Sequence, residues 1–268
     1  MKKRLAILSG FFFLLLSLTA CSNQQGEAQA PGASGNGQQV ELIVSAAASL
    51  KDAMDEIQRT YKQERPEVTL RFNFGSSGAL QQQISQGAPV DVYVSAAEDT
   101  FTKLVQDGII AEEDGVDLLG NALVLVVPKD STAVTGFADL GKEEVDKISI
   151  GMPESVPAGK YAKESLEKLG IWQDVEAKMV YAKDVRQVLS YVETGNVDAG
   201  IVYKTDAIAS EQVSIVATAD PATHSPVIYP VGVIKQSAHY EAAKDLYHYL
   251  QSDAAIQVFE KYGFTAAQ

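Results

Sequence analysis

The sequence predicts an α/β fold, and three observations carry that expectation. From Val40 onward, short apolar runs of strand character alternate with segments whose apolar residues recur at helical spacing. Such alternation is how a sheet with helices on its faces is encoded, and it predicts largely parallel pairing. The strand-like runs hand over to helices through turns built of small and hydroxyl residues. No internal repeat is visible, which excludes a solenoid.

Taken in order, Val40 to Ser45 reads as a strand, and Leu50, Ala53, Met54, Ile57 and Tyr61 as the apolar face of a helix that Pro66 terminates. Val68, Leu70, Phe72 and Phe74 alternate as a half-buried strand; a helix from Ala79 to about Gln86 and a strand from Val90 to Ser95 follow. Ala122 to Val127 is a buried strand stopped by Pro128. A strand at Lys147 to Gly151, a helix at Tyr161 to Leu169 and a strand at Lys178 to Tyr181 lead to a helix with the stripe Val185, Val188, Leu189 and Val192. Strands at Ala199 to Tyr203 and Val213 to Thr218 flank a short helix near Asp206. Val227 to Ile234 is the last long strand, and two helical segments close the chain. Two α/β units suggest two lobes, with the strands near Ala122 and Val231 crossing between them.

Ahead of this region lies an address. Lys2, Lys3 and Arg4 precede an apolar run from Leu5 to Ala20, too short for a spanning helix and ending in small residues, as a secretory signal does. An uncleaved N-terminal anchor is the alternative. Leu18-Thr19-Ala20-Cys21 resembles a bacterial lipobox, which favours cleavage before Cys21 and acylation of that cysteine. Residues 1–20 are thus expected to be a lipoprotein signal peptide. Residues 21–39, rich in Gln, Gly, Ala and Ser, are expected to form a flexible tether, since they bury too little to offset ordering entropy.

Composition narrows the function. The chain has 268 residues, 46% of them hydrophobic and 21% charged, with a formal net charge of −13. Nucleic-acid binding needs cationic contacts to phosphate, so that class is excluded. An anion bound here must be held by local donors against the field of the whole molecule. A single cysteine excludes an intrachain disulfide and a CxxC site, and His224, His239 and His248 lie outside metal-ligand spacing.

Four turns share one design: Ala46-Ala47-Ala48-Ser49, Gly75-Ser76-Ser77-Gly78, Val156-Pro157-Ala158-Gly159 and Ala182-Lys183-Asp184-Val185. A helix start exposes unpaired N–H groups and partial positive charge, and small residues let an anion approach them. For any one turn, serine as an ordinary N-cap and glycine or alanine meeting backbone geometry is the competing reading. Lys183 and Arg186 are read as solvent-exposed helix residues and Asp184 as a helix-start acid. Catalysis is not expected. Gly159-Lys160 lacks the spacing of a P-loop, Ser165 and Lys168 sit mid-helix without the companion motifs of β-lactamases, and no histidine stands in a strand-end loop to activate Ser49 or Ser77.

Ala46 to Leu50, Ser76-Ser77, Leu119-Gly120-Asn121, Val156 to Gly159, Asp184-Val185-Arg186, Gly200 to Tyr203 and Tyr262-Gly263-Phe264 together resemble, in order, the molybdate-binding protein of bacterial ABC importers. The resemblance spans about Val40 to Phe264. It implies a two-lobed type II periplasmic-binding-protein fold with a ligand cleft, residues 40–121 and 229–268 forming one lobe and 122–228 the other. It also implies an oxyanion held by Ser49 and Ser77 through hydroxyl and backbone N–H, by Ala158 and Val185 through backbone N–H, and by the Tyr203 hydroxyl. Ser76 competes with its neighbour Ser77 for that role.

The resulting expectation is an extracytoplasmic, lipid-anchored and monomeric receptor. It would capture molybdate or tungstate, with no metal directly ligated and no cofactor, and deliver the anion to ABC permease subunits. Sulfate, phosphate or another small oxyanion in the same fold is the first alternative, and a surface-anchored serine hydrolase the second.

Overall fold

The computed structural model describes residues 39–267. The leader at 1–20, Cys21 and all of the tether but its last residue lie outside the described residues.

The elements follow in chain order as β1 (Val40–Ala47), α1 (Lys51–Glu64), β2 (Val68–Gly75), α2 (Ser77–Ser85), β3 (Val92–Val94), α3 (Glu98–Gln106) and β4 (Ile110–Gly120). Next come β5 (Leu123–Pro128), β6 (Ile148–Gly151), α4 (Pro157–Lys168), α5 (Trp172–Val175), β7 (Met179–Ala182), α6 (Val185–Glu193), β8 (Ala199–Tyr203), α7 (Lys204–Ile208) and β9 (Val213–Thr218). The chain ends with β10 (Ile228–Ile234), α8 (Tyr240–Leu250), α9 (Asp253–Lys261) and β11 (Thr265–Ala266).

These build two lobes. One sheet runs β2-β1-β3-β10-β4-β11, the other β7-β6-β8-β5-β9. The α/β, two-lobed expectation holds; the expectation of largely parallel pairing does not. β1 pairs in parallel with β2 and β3, and β6 with β7 and β8, but β10 runs antiparallel to β3 and β4, and β5 to β8 and β9. The reason is connectivity. A parallel neighbour needs a crossover helix, whereas β5 and β10 arrive from the other sheet and run against the strands they join.

A second correction concerns the crossings. β5 lies wholly in the second sheet and β10 wholly in the first, so neither strand bridges the lobes. The chain passes between sheets in the links Asn121-Ala122 and Ala219–Val227, which touch where Asn121 N–H donates to Val227 O at 3.2 Å.

Register explains where the ends of the strands fall. β1 and β2 pair from Val40 opposite Val68 to Ala47 opposite Gly75, so both stop at the same level. β6 and β7 do likewise, from Ile148 opposite Met179 to Gly151 opposite Ala182. The turns that leave each pair of strands are therefore side by side.

Apolar stripes fasten the helices. α1 buries Ala53, Met54, Ile57 and Tyr61, and α6 buries Val185, Val188, Leu189 and Val192. At about 1.5–3 kcal/mol for each fully buried large side chain, the α6 stripe outweighs the poor helix propensity of valine. α4 packs so tightly on β6 that a Cβ on Gly159 would stand 1.9 Å from Gly151 O, so glycine is required there.

Candidate functional site

Each of the four turns starts a helix. β1 runs into a 3₁₀ turn, Ala48–Leu50, that leads to α1, and it holds Ser49 with 4% of its surface exposed. Ser76 is the N-cap of α2 and Ser77 its first residue, fully buried. α4 opens on Pro157, which has no N–H, so Ala158 carries the first free donor of that helix. α6 opens on Val185 after the N-cap Asp184, whose carboxylate accepts from Gln187 N at 2.9 Å. Asp184 therefore satisfies the third N–H of the helix and leaves that of Val185 unpaired within it.

Ser49, Ser77, Ala158, Val185 and Tyr203 line one small cavity between the lobes. Ala47, Ala48, Gly75, Ser76, Ala96, Val156 and Pro157 complete its wall. Ala96 was not among the residues expected from the sequence. It follows β3 in Ser95-Ala96-Ala97, the same motif of a strand ending in small residues, and so was open to detection. Among the described residues no charged side chain lines the cavity.

The hydroxyls are held in a particular way. Ser77 Oγ accepts from Ala96 N–H at 2.8 Å, and Ser49 Oγ lies 2.9 Å from Tyr229 Oη. Tyr203 Oη is fully buried and has no hydrogen-bond partner among the described residues. Burial raises the pKa of both Tyr203 and Tyr229 well above that of a free phenol, so each keeps its proton across the physiological range. A buried phenol with an unplaced proton, facing helix-start N–H groups and two serines, makes a cavity rich in donors.

Arg186 differs from the sequence expectation. It is not a solvent-exposed helix residue: its side chain is 27% exposed and bridges to Asp52 of α1 in the other lobe, with Nε 2.9 Å from the fully buried Asp206. The angle at that second contact lies outside hydrogen-bond geometry, and it is an ion pair only. Burial works against the guanidinium charge, but Asp206 and Asp52 outweigh it and hold the pKa above its ordinary value. Both carboxylates thus claim this cation, which does not line the cavity. Lys183 is exposed, as expected.

Other contacts close the lobes over the site. Lys160 Nζ meets Asp99 Oδ2 at 2.6 Å, and Gly78 N–H donates to Ser155 O at 3.0 Å.

Residues 42–265 match the family model described as bacterial extracellular solute-binding protein. The chain is 53% identical over 267 residues to the "Putative ABC transporter substrate-binding lipoprotein YvgL" of Bacillus subtilis, covering 99% of this chain and 100% of that one. It is 38% identical over 232 residues to the molybdate-binding protein ModA of Haemophilus influenzae, covering 84% and 90% respectively. The solved periplasmic molybdate-binding protein of Azotobacter vinelandii superposes with a TM-score of 0.78 at 22% identity, over 85% of this chain and 100% of that one, and so shares the fold.

Proposed function

Since the chain belongs to the bacterial extracellular solute-binding protein family, with a solute-binding role in ABC import, we propose that its solute is molybdate or tungstate, held through uncharged donors. The observation that supports this is the convergence of Ser49, Ser77, Ala158, Val185 and Tyr203 on one cavity that, among the described residues, no charged side chain lines. Such a wall suits a fully deprotonated tetrahedral dianion. Hydrogen phosphate would bring a proton with no acceptor to meet it. Sulfate has no proton, and only cavity size acts against it.

The magnitudes are adequate. About seven charge-assisted hydrogen bonds at roughly 1.5–3 kcal/mol each sum to a gross ~10–20 kcal/mol. After the costs of immobilisation and lobe closure, micromolar or tighter binding is expected.

The rest of the reading follows from the leader and the architecture. Residues 40–121 and 229–268 form one lobe and 122–228 the other, and the anion closes them together. Cys21 is acylated after cleavage of 1–20, residues 21–39 tether the receptor to the outer face of the membrane, and the receptor hands its anion as a monomer to permease subunits. It performs no catalysis. Among the residues that line the cavity none is a histidine or a carboxylate that could take a proton from Ser49 or Ser77, and a nucleophilic serine needs such a base.

Isothermal titration calorimetry on the chain from Gln38 onward tests this reading. Heat is expected with molybdate and tungstate; clear binding of sulfate with none of molybdate or tungstate would overturn it. A thermal-shift panel gives a second measure: at a hundredfold excess over Kd the right anion adds about 2.7 kcal/mol, or a rise of roughly 2–4 °C.

A further inference from the structure

Two residues outside the cavity wall decide which way its hydroxyls point. Ala122 N–H donates to Asn121 Oδ1 at 2.9 Å, which fixes the orientation of that side-chain amide. Its Nδ2 then faces Thr205 Oγ1 at 2.9 Å and Tyr229 Oη at 3.2 Å as a donor. Tyr229 is fully buried, and among the described residues Ser49 Oγ, at 2.9 Å, is the partner within hydrogen-bond geometry left for its own proton. Ser49 therefore receives a hydrogen bond from Tyr229, and its own proton must find an acceptor elsewhere. Ser49 lines the cavity, and no other side-chain partner meets it among the described residues. Ser77 is polarised in the same sense by Ala96 N–H.

We infer that Asn121 and Tyr229 are positioning residues for the bound anion: Asn121 donates to Tyr229, and Tyr229 in turn occupies one lone pair of the Ser49 oxygen, so that the Ser49 proton is turned into the cavity as a donor. This rests on the oxyanion reading above and adds to it. Serine is by nature both donor and acceptor. A cavity lined by free serines could turn one lone pair toward a protonated anion. Here a directed chain, Ala122 N–H to Asn121, Asn121 to Tyr229, Tyr229 to Ser49, occupies one of the Ser49 lone pairs and biases that hydroxyl toward donation into the cavity.

The claim separates from a merely structural role for Tyr229 by a double-mutant cycle, because a residue acting only through the Ser49 hydroxyl has nothing to act on once that hydroxyl is gone. Molybdate and tungstate affinity would be measured by calorimetry for the wild type, Tyr229→Phe, Ser49→Ala and the double variant. The net worth of one hydrogen bond to a charged group predicts a loss of about tenfold or more for Tyr229→Phe. The double variant should bind within about twofold of Ser49→Ala alone. Wild-type affinity in Tyr229→Phe, or a further tenfold loss when it is added to Ser49→Ala, overturns the inference. Should Tyr229→Phe fail to fold, Asn121→Ala frees Tyr229 to accept from Ser49 and enters the same cycle with the same two criteria. A wild type that binds neither molybdate nor tungstate overturns the oxyanion reading itself, a result distinct from either failure in the cycle.

Discussion

The two lobes reach one cavity with donors of different kinds. The lobe of β1 and β2 offers serine side chains, Ser49 and Ser77, each oriented by a donor from behind: Tyr229 for one and the Ala96 N–H for the other. The lobe of β6, β7 and β8 offers Ala158 and Val185, whose contribution can only come from the backbone, together with one phenol, Tyr203. Backbone donors at a helix start are fixed by the helix itself and need no partner to point them. Hydroxyls rotate, and need one. The lobe with the flexible donors is thus the lobe that carries the supporting hydrogen bonds, while the other relies on Asp184 and Pro157 to leave the right N–H groups free.

This asymmetry means that side-chain substitution removes more donors from the first lobe than from the second. Ser49→Ala with Ser77→Ala removes two charge-assisted hydrogen bonds and should weaken molybdate binding by about 10²–10⁴-fold. The ligand-induced rise in melting temperature at a fixed molybdate concentration should shrink accordingly. In the proposed reading Ala158 and Val185 would donate through the main chain, so their replacement by other small residues that keep the helix start should have far less effect. A titration in which Ala158→Ser cost as much as the serine pair would break the comparison.

Tyr203→Phe probes the side-chain donor of the second lobe. The expected loss is about 10–100-fold in affinity, from one hydrogen bond to a charged group. The unliganded protein should not be destabilised by it. Tyr203 Oη is buried without a partner among the described residues, and deleting an unsatisfied buried hydroxyl is neutral or stabilising. Affinity by calorimetry should therefore fall while the melting temperature without ligand holds or rises.

Closure can be disturbed without touching a donor side chain. Gly78 faces Ser155 across the cleft, and a Cβ there would stand 2.7 Å from the Ser155 carbonyl oxygen. That contact is backbone and cannot swing aside, so Gly78→Ala should hold the lobes apart. Overpacking costs of about 1–3 kcal/mol predict roughly a tenfold loss of affinity. Small-angle scattering should show the liganded variant more open than the liganded wild type. Equal profiles and equal affinity would mean that the Gly78 contact plays no part in closure.

How much of this was legible in the sequence follows from distance along the chain. The helix-start turns could be read because each is a local motif, small residues between an apolar strand and an amphipathic helix. β4 was not read at all. Its sequence, Ile110 to Gly120, is acidic and lacks alternation, because its pairing with β10 is broken between Tyr229 and Pro230 and again between Gly232 and Ile234. Each irregularity shifts the side-chain phase. Its buried Asp114 is satisfied by Lys244 at 2.6 Å from α8, a partner that no local pattern reveals. The same holds for the site. Asn121 and Tyr229 stand 108 residues apart, and Asp52 and Arg186 134 residues apart, so the chain that orients Ser49 and the bridge between the lobes exist only after folding. Reading Arg186 as an exposed helix residue failed for that reason.

The smallest effect expected is a pH dependence confined to the second lobe. Asp206 follows Tyr203 by three residues in α7 and is fully buried. Burial pushes its pKa from 3.8 up to about 7, with Arg186 working to lower it and Asp52 and Asp184 to raise it. The folded value exceeds the unfolded one, so the folded state holds the extra proton between them. The contribution of Asp206 to stability is fully present below about pH 3.8 and is lost as the pH rises through about 7. Glu56, Asp114 and Asp139 act in the opposite sense. Their carboxyl groups are held below the ordinary range, so what they contribute is lost only in stronger acid. Between pH 5 and 8 the Asp206 contribution can therefore be isolated by comparison with Asp206→Asn, which carries no titrating group there. The melting temperature of the wild type relative to that variant should rise as the pH falls through this interval. A difference that stays constant with pH would mean that Arg186 keeps Asp206 ionised throughout. The bridge from α7 through Arg186 to α1 would then be a permanent ion triad, and the lobe contacts on that side of the cleft would be indifferent to pH.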